Sequence, residues 1–195
     1  LNRHWWRQNR RRLDAEALRD SMLVVSGQLN KKMGGPSFYP RMSKGALEGL
    51  PRKGKTWGNS SARERARRSV YMMTKRSRLL PLMTTFDFSD TTLPCGQRDV
   101  TTVAPQALAL LNNHFVHEQG QAFAREVFTT AGTDPQRQIV EIWQRALGRK
   151  PSSAEIRAAE RHLGEQHVHF TKTSGNQSSA GGVTKLPVTN ELELW

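Results

Sequence analysis

Leu13, Ala17, Leu18, Met22 and Val25 recur at helical spacing, while Asp14, Glu16, Arg19 and Asp20 fill the other face. Gly27 stands where such a helix would stop. The pattern predicts an amphipathic helix over 13–26. Arg10, Arg11 and Arg12 lie just before it, and each cation there opposes the helix dipole by about 0.3–1 kcal/mol. Either the helix begins earlier, near Trp5, or Asp14 and Glu16 compensate.

Further along, Ala104, Ala107, Leu108 and Leu111 predict the buried face of a second helix, with Thr102 as its N-cap and Pro105 in its first turn. Asn112 and Asn113 interrupt it. A following helix over 114–129 turns Val116, Phe123 and Val127 inward. Between Asp134-Pro135 and Gly148, the residues Ile139, Val140, Trp143, Ala146 and Leu147 give another. Ser152 with Glu155 three residues on reads as a capping box. It opens a helix lined by Ile156, Ala159 and Leu163, which pairs with the preceding one as an antiparallel hairpin. Residues 69–83 fit either strand or helix, because the apolar run Val70–Met73 is too short for periodicity to decide. Pro81 marks a break.

Loops separate these elements. Six glycines and three prolines fall within residues 34–59, together with Arg41, Lys44, Arg52, Lys53 and Lys55, and the reading is an exposed basic loop over 34–62. Residues 169–189 are rich in Ser and Gly and read as a linker. Residues 190–195 open a terminal element that looks cut short. The expected fold is therefore mainly α: four or five helices around one core within residues 1–168, with a long basic Gly/Pro-rich insert and at most a small sheet.

Composition agrees that part of the chain lies outside the core. Of 195 residues only 36% are apolar, and mean hydropathy is −0.67. The longest apolar runs, such as Met22–Val25 and Ala107–Leu111, are far too short to span a bilayer. Charge is lopsided. Residues 1–80 carry 20 Lys and Arg against 5 Asp and Glu, whereas residues 81–195 carry 10 against 12. The front half is thus the place to expect an anionic partner, unless its cations only solvate a loop.

Common reaction motifs are scarce: no GxSxG, GxGxxG or HExxH pattern occurs. No CxxCH occurs either, so this chain attaches no c-type haem itself. Candidate chemistry concentrates in 86–113. Asp87 and Asp90 could form paired carboxylates for acid/base work or a hard cation, and Arg98 could fork onto a carboxylate or phosphate. These three are the catalytic candidates. The competing reading is a self-contained polar corner, in which Asp90 caps a turn, Arg98 pairs with Asp87, and Thr102 and Gln106 satisfy a helix start. Arg11, Arg12, Arg67, Arg68, Thr102, Gln106, Asn112 and Asn113 are the candidate binding residues.

Other side chains add less. His114 and His117 share a helical face at a spacing that can ligate a metal, but no third ligand is evident, so no metal site is assigned. His162, His167 and His169 sit near the expected end of a helix and suit its dipole. Cys95, between Pro94 and Gly96, has no neighbouring base to activate it. Trp57 could stack on a sugar or base.

Several segments resemble one family in the correct order: NRRRLDAEALRDSML at 9–23, GGPS at 34–37, RRSVY at 67–71, FDFSD at 86–90, CGQRDVTTVAPQALALLNNHFV at 95–116 and ALGRKPSSAEI at 146–156. They resemble the planctomycete PSD domain, a domain of unknown function in large exported proteins that often carry a cytochrome-c-like domain. The resemblance covers most of 1–168. It implies a chain truncated at both ends, a periplasmic or cell-surface location, other domains of the same polypeptide as partners, and a c-type haem, if any, elsewhere in the full-length protein. It implies no activity. The function expected is an accessory or interaction module meeting anionic polysaccharide or envelope surfaces. The alternatives are an enzyme domain acting on glycans through Asp87, Asp90 and Arg98, and nucleic-acid binding by the basic first half, which ranks behind them.

Overall fold

A computed structural model describes residues 11–42, 47, 57–76 and 78–177. Among these the chain is mainly α with no sheet, in line with the hydrophobic spacing. Among the described residues, seven α-helices have described bounds: α1 (Ala15–Val25), α2 (Ala62–Arg65), α3 (Pro81–Thr85), α4 (Ala104–Asn112), α5 (His114–Ala131), α6 (Pro135–Leu147) and α7 (Ser153–Gln177), with a 3-10 turn at Ser69–Tyr71. The count exceeds the four or five expected because α2 and α3 span only four and five residues, too few for a periodic signal. Contacts cluster into two compact units, residues 1–120 and 121–194.

In the first unit, the core comprises Ala15, Phe38, Met72, Leu82, Met83 and Phe86, with Leu18, Tyr71, Ala109, Leu110 and Phe115 packed on it. Phe38 lies in the stretch expected to be an exposed loop, yet it is buried. Its ring is 1% exposed. Its N–H donates to Tyr71 O at 3.0 Å, and its carbonyl accepts from Met73 at 2.8 Å. This parallel bridge, with a second at Asn30 and Arg67, lays the chain after α1 alongside residues 66–73. Gly34 to Ser37 are exposed as expected. Trp57 is half-buried, donates its indole N–H to Pro40 O at 3.0 Å, and meets Tyr39 edge-on at 5.6 Å. Lys44, Arg52, Lys53 and Lys55 lie outside the described residues.

Two helices are rotated from the faces their apolar residues predict. On α1 the buried stripe is Ala15, Arg19 and Leu23, while Ala17 and, just before the helix, Leu13 face solvent. On α4 the buried residue is Gln106, and Leu108 and Leu111 are 58% and 68% exposed. In both cases a long polar side chain holds the inward position because acceptors wait for it there. The N-cap of α4 is Val103 rather than Thr102, which is exposed. Pro81 opens α3 instead of only ending what precedes it, since a proline at the first helical position forgoes an N–H that has no helical partner.

The second unit follows the sequence reading closely. Val127 of α5 and Ile139 of α6 are buried, and α6 packs against α7. Asp134 caps α6 by accepting from Gln136 N at 3.0 Å, and Gly148 ends it in the left-handed region at φ 67°. The capping box of α7 is formed both ways: Glu155 N donates to Ser152 Oγ at 3.3 Å, and Ser152 N to Glu155 Oε2 at 2.8 Å. Arg149 forks onto the same Glu155. Helix α7 continues to Gln177, so residues read as the start of a linker are helical and His162, His167 and His169 lie within it. Residues 178–189 and 190–195 lie outside the described residues, as do Trp5 and Trp6. No helix among the described residues is long and apolar enough to cross a membrane.

Candidate functional site

The polar corner begins with Asp87, which follows α3 at φ 57°. Aspartate tolerates this left-handed conformation better than most residues. The bend aims its carboxylate at three donors. Thr101 N reaches Oδ2 at 2.8 Å and Thr101 Oγ1 reaches Oδ1 at 2.9 Å. Arg12 Nη2 reaches Oδ2 at 2.5 Å. The Thr101 N–H, its hydroxyl and the Arg12 cation hold the Asp87 carboxyl below its ordinary range, against a smaller opposing push from burial. Arg12 also donates to Phe86 O at 3.3 Å and lies over the Phe86 ring.

Gln106 extends this latch into α4. Its amide donates to Thr85 O and Thr101 Oγ1, both at 3.1 Å, and accepts from Val103 N at 3.4 Å. All its polar capacity faces inward, which is how an amide comes to be buried at low cost. Thr101, not Thr102, is the residue that joins Asp87 to Gln106. One threonine beside another carries no sequence signal to choose between them.

Arg98 does not pair with Asp87. It forks onto Glu16 of α1 at 2.7 and 2.8 Å and lies over the Phe88 ring. Burial alone would raise the Glu16 carboxyl, but the Arg98 hydrogen bonds and charge bring it below its ordinary value. Asp90 is separate again: it accepts from Thr92 N at 2.8 Å and Thr92 Oγ1 at 2.7 Å, closing its own turn. The three catalytic candidates therefore belong to three different local networks. The expected turn cap at Asp90 is present, and the expected Arg98–Asp87 pair is replaced by two pairs that each reach back to α1 or its entry.

The binding candidates divide in the same way. Arg67 is 0% exposed, so it is no surface ligand. Its guanidinium donates to Pro36 O at 2.9 Å, to Gly34 O, and to Glu64 Oε2 at 3.1 Å, and stacks 4.2 Å from the Tyr71 ring centre. Tyr71 Oη in turn accepts from Gly34 N at 3.0 Å. Asn113 Oδ1 accepts from Phe115 N at 2.9 Å, which restarts the chain as α5, and Asn112 donates back to Leu108 O. Arg11 and Arg68 are exposed. His114 lies 3.4 Å from Glu118. Among the described residues no three His, Cys, Asp or Glu side chains gather as a metal site would require. Cys95 is exposed, its thiol donating to Gln97 O at 3.2 Å.

Sequence reasoning missed Arg19, which sits on the buried stripe of α1. It donates to Arg67 O at 3.0 Å, Ser69 Oγ at 3.2 Å and Arg65 O at 2.5 Å. The Phe38 and Phe115 rings lie 5.2 and 5.1 Å away. Burial pushes its guanidinium down to about 10, with Asp20 opposing, so it remains protonated at neutral pH. Its place four residues from both Ala15 and Leu23 was the available signal.

These contacts join the segments that carry the family resemblance. Residues 9–23 meet 67–71 through Arg19 and Asp20, meet 86–90 through Arg12, and meet 95–101 through Glu16. Residues 34–37 meet 67–71 through Arg67 and Tyr71. No curated protein and no solved structure matches the chain. Residues 1–163 match the family described as PSD1, protein of unknown function (DUF1553), and the chain belongs to that family.

Proposed function

We propose that this chain is a non-catalytic interaction module of a larger exported protein, and that its basic front half meets anionic polysaccharide or envelope surfaces. One observation carries the reading. Each catalytic candidate is already held by an intramolecular partner: Asp87 by Arg12 and Thr101, Asp90 by Thr92, and Arg98 by Glu16. An acid/base pair needs carboxylates free to exchange protons with a substrate and set to different affinities for the proton. Here Asp87 and Asp90 are both pushed the same way, toward the ionised form.

The charge asymmetry supports the binding half of the reading. Arg12, Arg19 and Arg67 are engaged inside the first unit, while Arg11, Lys31, Arg63, Arg68 and Arg76 are exposed. The family resemblance supports a place in the periplasm or at the cell surface, beside other domains of the same polypeptide. Nucleic acid is the weaker partner, because duplex readers set a cationic helix into a groove, and Arg19 of α1 is turned into the core while α2 spans only four residues.

The test is retention of the whole chain on heparin, polygalacturonate and neutral dextran over a range of NaCl, together with an assay of reducing ends released from each. Salt-sensitive retention on the two polyanions, none on dextran and no release is expected. Release of reducing ends that Asp87→Asn abolishes would overturn the reading in favour of an enzyme.

A further inference from the structure

An open groove of about 620 Å³ lies in the first unit between the chain leaving α1 and the α2 segment. Gln28, Asn30 and Lys31 line one side, and Ala62, Arg63 and Ala66 the other. Resting on the interaction reading above, we propose that this groove is where the module grips the sulfate or carboxylate groups of an extended anionic polysaccharide.

The floor is fixed. Asn30 N donates to Ala66 O at 2.9 Å, Asn30 Nδ2 donates to Arg63 O at 2.9 Å, and Asn30 Oδ1 accepts from Lys32 N at 3.0 Å. One side chain thus staples both walls, and main-chain bonds from Gln28 and Leu29 to Leu23 O tie the near wall to the end of α1. Such a floor needs little reordering when a ligand arrives.

The walls present uncompensated charge. Of the neighbouring cations, Lys32 and Arg67 are paired with the Glu64 carboxylate at 3.0 and 3.1 Å, and Arg65 is engaged by the neutral oxygens of Asn59 and Ser60. Lys31 and Arg63 are exposed, and among the described residues neither forms an ion pair. No carboxylate lines the groove. An ammonium and a guanidinium with a free amide at Gln28 suit an oxyanion, which accepts from all three. No aromatic ring lines the groove, so the stacking platform that single-stranded nucleic acid uses is missing. That favours a polyanionic glycan.

The discriminating experiment compares two charge-matched double variants of the whole chain, K31E/R63E in the groove and K150E/R157E in the second unit, where both side chains are exposed. Affinity for heparin and for polygalacturonate is measured by titration at several salt concentrations. The groove variant is expected to lose at least tenfold with a shallower salt dependence, and the control less than threefold. Whichever polyanion suffers the larger loss identifies sulfate or carboxylate as the group gripped. Equal weakening of both variants, with wild-type binding intact, would overturn the groove and leave the interaction reading standing. Absence of wild-type binding to both polyanions would overturn both. Tighter, groove-dependent binding of a 20-mer oligonucleotide would reassign the groove to nucleic acid. Circular dichroism checks folding, and K31Q/R63Q replaces the groove variant if reversal prevents it.

Discussion

Arg19 Nη1 donates to the main-chain carbonyl of Arg67 at 3.0 Å, so one buried cation holds the backbone from which another projects. The two like charges coexist because each has acceptors of its own. Arg19 takes Arg65 O, Ser69 Oγ and the nearby Asp20, and Arg67 takes Gly34 O, Pro36 O and Glu64. The planar fork of arginine spreads its donors over separate nitrogens and so reaches acceptors further apart than the single ammonium of lysine can.

Replacing Arg19 by Met should therefore destabilise the chain, by about 1–3 kcal/mol, because it leaves the buried oxygens of Arg65, Arg67 and Ser69 without their donor. Arg19→Lys should recover only part of the loss. Urea unfolding followed by circular dichroism reads both. Wild-type stability in Arg19→Met would mean that the buried guanidinium holds nothing together.

Core and surface apolar residues should part company in the same assay. Phe38→Ala removes a fully buried ring from the core around Met72 and Met83 and should cost about 3–5 kcal/mol. Leu108→Lys and Leu111→Lys replace exposed side chains on α4 and should each change stability by about 0.5 kcal/mol or less. The reverse order would show that α4 buries the face its leucines predict.

This contrast shows where the sequence was readable. The positions of α1 and of α4 to α6, the Gly148 stop and the Ser152–Glu155 box followed from spacing and cap chemistry alone, since those depend on residues three or four apart. The inward faces of α1 and α4 did not. Arg19 and Gln106 lie inside because acceptors arrive from residues 65–69, 85 and 101, and hydrophobic periodicity records none of these long-range partners. In the polar corner the right segment was legible but not its pairing. Asp87, Arg98, Glu16 and Arg12 could be matched in more than one way, and only the course of the chain selects Asp87 with Arg12 and Glu16 with Arg98.

Acid should loosen this corner. Asp87 and Glu16 both titrate below their ordinary values of 3.8 and 4.5 in the folded chain. A carboxyl with a depressed folded value contributes stability that is present above its unfolded value and lost as pH falls through the folded one. Thermal midpoints should hold near neutrality and fall as pH drops below about 4.5, the ordinary glutamate value. Asp87→Asn should blunt that fall while lowering the midpoint at pH 7. An unchanged acid profile in Asp87→Asn would show that Thr101 and Arg12 do not favour the ionised carboxylate.

The Glu16–Arg98 pair offers the sharpest separation of a structural corner from a catalytic one. Both partners are partly exposed, at 27% and 34% of their side chains, so solvent screens the attraction. Measured couplings of such pairs run to about 1 kcal/mol at most, with the upper end favoured by a two-pronged geometry. A double-mutant cycle of Glu16→Gln and Arg98→Gln should give a coupling of that size in unfolding free energy. Arg98→Lys should recover less than half of it, because one ammonium cannot reproduce two parallel hydrogen bonds on both carboxylate oxygens. The same four proteins should bind heparin with affinities that follow net charge and show no coupling between the two positions. Coupling in stability without coupling in binding is what a fastener between α1 and residues 95–101 must produce. Coupling in binding without coupling in stability would instead place the pair in contact with the ligand.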